Sequence, residues 1–126
     1  MAETIEIPSA AGAFPALSAS PGGRPSGAVV VVQEAFGLTE HIGDIVDRFA
    51  AAGYRAVAPA LYHRQGAPVI DYAALQDAEK AEELIALLGS LTAPDIDADL
   101  DATLALLMDE GFAEPSIGMV GCRRRG

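Results

Sequence analysis

Residues 28–64 read AVVVVQEAFGLTEHIGDIVDRFAAAGYRAVAPALYHR, and the order of patterns inside this stretch decides the fold class. Ala28 to Val32 is a β-branched run with no polar alternation, the pattern of a strand buried on both faces and therefore of a central, parallel strand. Thr39 can cap a helix in which Ile42, Ile45, Val46 and Phe49 recur at three- and four-residue spacing, and Gly53 suits its C-terminal stop. A second strand, Arg55 to Ala58, ends at Pro59. Strand, helix and strand within about thirty residues make a right-handed βαβ crossover, so the fold class is α/β.

Outward from this unit, Thr4 to Ile7 and Gly12 to Ala19 are short apolar-rich pieces that suit a hairpin, and SPGGRPSG after them reads as a turn or exposed loop. Downstream, Tyr72 to Leu88 closed by Gly89 and Asp95 to Glu110 closed by Gly111 carry helical periodicity, the second with Ile96, Leu100, Leu104 and Leu107 on one face. Residues 60–93 hold more helix than one crossover needs and read as an excursion that covers a site. A last strand spans Ser116 to Val120, bounded by Pro115 and Gly121.

At 126 residues the chain fits one domain with a real core, and 51% hydrophobic residues suit a globular protein. The net charge is −10, and removing the three arginines at 123–125 leaves −13 on the rest, a body that repels phosphate and anionic lipid. The expected partners therefore include neither nucleic acid nor a membrane. A single cysteine forms no internal disulfide, which fits a cytoplasmic location. DIDADLD sets Asp95, Asp97, Asp99 and Asp101 at alternate positions, but Leu100 stands where a calcium loop needs glycine and Leu106 where it needs glutamate, so an acidic first helical turn explains it better. His41 and His63 have no Cys or His at ligand spacing, so no metal site is expected, and both read as solvated, with His63 placed to line a site entrance.

Two places stand where chemistry belongs in an α/β sheet, at the carboxyl ends of strands. Gln33, Glu34, Ala35, Phe36 and Gly37 follow the buried strand. There a carboxylate can act as base or gate, and backbone N–H groups can face an oxyanion. Cys122 follows the last strand, where a sharp turn into a helix would expose a thiolate. Counted from Gly121, however, such a turn puts the nucleophile at Arg123 and the closing glycine at Arg125, so the cysteine comes one place early.

The stretch from Ala28 to Gly121 resembles the amino-terminal half of the dienelactone hydrolases, the carboxymethylenebutenolidase-like family of the α/β-hydrolase superfamily. The likeness is carried by the Gln-Glu-x-Phe-Gly segment and by Pro59, Leu61, Tyr62 and Arg64. It implies a three-layer α/β-hydrolase fold, a mostly parallel sheet flanked by helices, and cysteine attack on small esters or lactones without a cofactor. Glu34 would contact the nucleophilic thiol, the Ala35 N–H would form half of the oxyanion hole, and Phe36, Tyr62 and Arg64 would meet substrate. Cys122 is the candidate nucleophile, although matching it needs a residue deleted before it and leaves both following glycines missing. The family's Asp and His lie further downstream. Residues 1–126 thus read as an incomplete hydrolase domain, 122–126 as an aberrant tail from a frame shift or gene-model error, and the chain as inactive alone with a sheet edge open to self-association. The alternative is a non-catalytic α/β module that binds a small ligand or partner; a flavodoxin-like nucleotide binder lacks its glycine-rich phosphate loop.

Overall fold

A computed structural model describes residues 2–10, 12–33, 35–70 and 76–121. Five strands form one sheet: β1 (Glu3–Ile7), β2 (Phe14–Ala19), β3 (Gly27–Val32), β4 (Tyr54–Pro59) and β5 (Ile117–Gly121), in the order β1-β2-β4-β3-β5. The expected hairpin forms, with Glu3 opposite Ser18 and Ile7 opposite Phe14. β2 runs antiparallel to β4, whereas β3 pairs in parallel with both β4 and β5. The sheet is therefore mixed, a parallel centre extended on one side by a hairpin. Ala28, Val29, Val30 and Val31 are buried, as a strand covered on both faces requires.

Helix α1 (Glu40–Ala51) covers one face, its Ile42, Val46 and Ala50 packing with Val29, Val31, Ala56 and Ala58. Thr39 caps it by accepting from the Ile42 N–H, and Gly53 follows with φ +101°. Helix α2 (Ala78–Ser90) buries only Leu84. Helix α3 (Ala93–Asp109) lies on the opposite face, where Leu107 joins Ile7, Phe14, Val30 and Val57.

Three helix boundaries differ from the sequence reading. The pattern from Tyr72 becomes a helix at Ala78, capped by Asp77, and residues 71–75 lie outside the described part. Gly89 does not end it, because the helix runs on to Ser90, whose hydroxyl donates to the Leu87 carbonyl. In α3 the start moves back to Ala93, because Thr92 accepts from the Asp95 N–H and Pro94 sits in the first turn, where no N–H partner is needed. Its buried line is Asp99, Thr103 and Leu107, not the leucine face alone.

Candidate active site

The loop after β3 is held by the segment after β4 at successive positions. Gln33 is buried, and its side-chain Oε1 accepts the Leu61 N–H at 2.8 Å. Glu34 lies outside the described residues. The Tyr62 phenol donates to the Ala35 carbonyl at 2.7 Å, and the Ile70 N–H donates to the Phe36 carbonyl at 2.9 Å. At Gly37 the backbone takes φ +93°, and a Cβ there would stand 2.5 Å from the Pro68 carbonyl oxygen, so both conformation and space require glycine. Tyr62 is 1% exposed, and burial pushes its phenol above the ordinary tyrosine value of 10.0.

Register sets this loop beside the end of β5. Val32, the last residue of β3, is paired with Gly121, the last residue of β5, so the chain leaves both strands at one point of the rim. Gln33 therefore leaves β3 beside the end of β5. Cys122 itself, with the rest of 122–126, lies outside the described residues.

His63 and Arg64 begin a 3-10 turn (His63–Gln65) directly after Tyr62, and both reach α3. Arg64 forks onto Asp99 through two bonds of 3.0 Å, with Asp95 at 3.8 Å. His63 Nε2 lies 3.0 Å from Asp99 Oδ1, and its ring stacks on Phe14 with centroids 4.4 Å apart and planes 13° apart. The expectation of a solvated His63 is thus corrected: the aromatic face of β2 and the carboxylate of α3 enclose it. The hydrogen bond from Arg64 to Asp99 holds the guanidinium above its ordinary range, so it stays charged. Asp99 is 2% exposed, and a carboxylate at that depth requires such partners. Reading the acidic run as a first helical turn hid this residue; the four-residue spacing Asp95, Asp99, Thr103, Leu107 was the signal that one aspartate faces inward.

A cavity of about 200 Å³ opens at the same rim, between Gln33, Leu38, Ala60, Tyr62 and Pro68 and the hairpin residues Pro15 and Leu17. It lies on the β2 and β4 side of the loop, and β5 flanks the other side. The structure brings Ala35, Phe36 and Tyr62 together, and turns Arg64 toward α3.

Comparisons agree with this architecture. Residues 14–122 match the family described as "Dienelactone hydrolase family". A protein of Methylorubrum extorquens named "Putative carboxymethylenebutenolidase" is 35% identical over 123 residues, which cover 96% of this chain and 40% of that protein. One of the same name from Yersinia pestis is 52% identical over 62 residues, 48% of this chain and 23% of that protein. Among solved structures, "Putative Dienelactone Hydrolase from Klebsiella pneumoniae" superposes with a TM-score of 0.76 at 34% identity, covering 96% of this chain and 49% of that one. The chain thus spans half or less of the length of these relatives.

Proposed function

Because the chain belongs to the dienelactone hydrolase family, we propose that it carries the oxyanion side of a site that cleaves small-molecule ester or lactone bonds. The observation that carries this reading is the pairing of Val32 with Gly121, which brings the ends of β3 and β5 to one point of the rim. In the reaction a cysteine thiolate attacks the carbonyl carbon, and the carbonyl electrons move onto oxygen, where the Ala35 N–H stabilises them. The intermediate collapses with cleavage of the C–O bond, a proton goes to the leaving oxygen, and water then releases the acid from the thioester. Glu34 acts on the thiol, while Phe36 and Tyr62 shape the substrate side. The fork of Arg64 on Asp99 supports a neutral ester or lactone rather than one held by its carboxylate. The single cysteine supports a cytoplasmic setting.

These 126 residues do not complete turnover alone. Of the two histidines, His41 is exposed on α1, and His63 is held between Asp99 and the ring of Phe14. Alkylation of Cys122 against pH tests this. The expected midpoint lies at or modestly below the free thiol value of about 8.5 and moves toward it as salt screens the neighbouring arginines. A midpoint well below about 7 that ignores salt and shifts in Glu34→Gln would mean a preorganised nucleophile and overturn it.

A further inference from the structure

We infer that Asp99 is a positioning residue for the loop that carries the oxyanion-donating amide; the assignment rests on the reading of Ala35 given above. The connection is continuous. Asp99 binds two consecutive side chains, His63 at 3.0 Å and both terminal guanidinium nitrogens of Arg64 at 3.0 Å. Those residues open the turn that Gly66 and Ala67 close in left-handed conformation (φ +88° and +55°), with the Ala67 N–H returning to the Tyr62 carbonyl at 2.9 Å. Tyr62 is thereby fixed at its own backbone, and its phenol fixes the Ala35 carbonyl. Leu61 and Ile70, on either side of the turn, hold Gln33 and Phe36. The loop thus takes its position from a helix on one face of the sheet, sixty-four residues further along the chain.

Burial explains why one carboxylate suffices. Asp99 cannot retreat into water, so leaving it unpartnered is costly and its two partners stay in place. Phe14 fixes the plane of His63 from the side of β2, which leaves the turn little freedom. A catalytic amide needs this, since an oxyanion donor works only when its orientation is set before the charge develops.

The test is amide hydrogen exchange by NMR on the full 126-residue chain and on Asp99→Asn, which keeps the shape and removes the charge. Exchange at Leu61 and Ile70 should rise about tenfold more than at Val30 in the core of β3, with a shifted Ala35 resonance. Unchanged exchange at both sites, with altered Arg64 Nη–H signals showing the pair broken, would overturn the assignment. If Asp99→Asn loosens the whole chain, Arg64→Gln decides: a selective rise at Leu61 and Ile70 supports it, and an equal rise at Val30 overturns it. No step reads turnover, so failure of the positioning role is distinct from failure of the oxyanion role.

Discussion

Tyr62 joins the two loops of the site through one hydroxyl, and its ring walls the cavity. Tyr62→Phe keeps the ring and removes the donor, so it should cost about 1 kcal/mol in urea denaturation, the usual worth of a single hydrogen bond. The phenol also fixes a pH dependence. Its folded value is raised above the unfolded one, so its stabilising effect is complete below pH 10.0 and declines as pH climbs from there through the folded value. Ultraviolet titration should show a tyrosinate forming late, and Tyr62→Phe should flatten the alkaline loss of stability. Gly37→Ala meets the Pro68 carbonyl and a left-handed φ together, and should destabilise by about 2 kcal/mol or more while releasing residues 66–70 to proteolysis. At this scale the sequence showed which residues gather, since Gln33, Phe36, Gly37 and Tyr62 sit in two recognisable segments. It did not show that Arg64 turns to Asp99, because a contact across thirty-five residues leaves no trace in local pattern.

α3 separates four look-alike aspartates by depth alone. Asp99 is buried with two partners, whereas Asp97 and Asp101 face water and Asp95 is intermediate. Asp99→Ala should therefore cost about 3 kcal/mol, and Asp101→Ala should stay within about 0.5 kcal/mol, measured by thermal melting of both. The far end of the helix is tied separately: Arg55 forks onto Glu110 at 2.9 and 3.1 Å and also donates to the Ser18 hydroxyl. The central strand and α1 were legible because β-branched continuity and a capped 3.6-residue period point the same way. α2 was less so: its apolar pattern exists, yet Ile85 and Leu88 are exposed, and an end at Gly89 gave way to continued backbone bonding.

Across the whole molecule, β5 pairs only with β3 among the described residues, and Met119 on it is 50% exposed. An edge of this kind offers unpaired N–H and C=O groups to another chain. Size exclusion with light scattering at two concentrations should show association that grows with concentration, and a single monomer peak with a sharp melt would count against it. The strand order was readable only in part, since the βαβ unit implied parallel neighbours while the placement of β5 against β3 depends on contacts distant in sequence. That placement underlies the central claim, that the chain holds the oxyanion side of a hydrolase site without its turnover. The most direct measurement is hydrolysis of an activated aryl ester and a small lactone by the purified chain beside its Cys122→Ala variant. The account predicts no multiple turnover from either protein; sustained turnover that disappears in Cys122→Ala would contradict it.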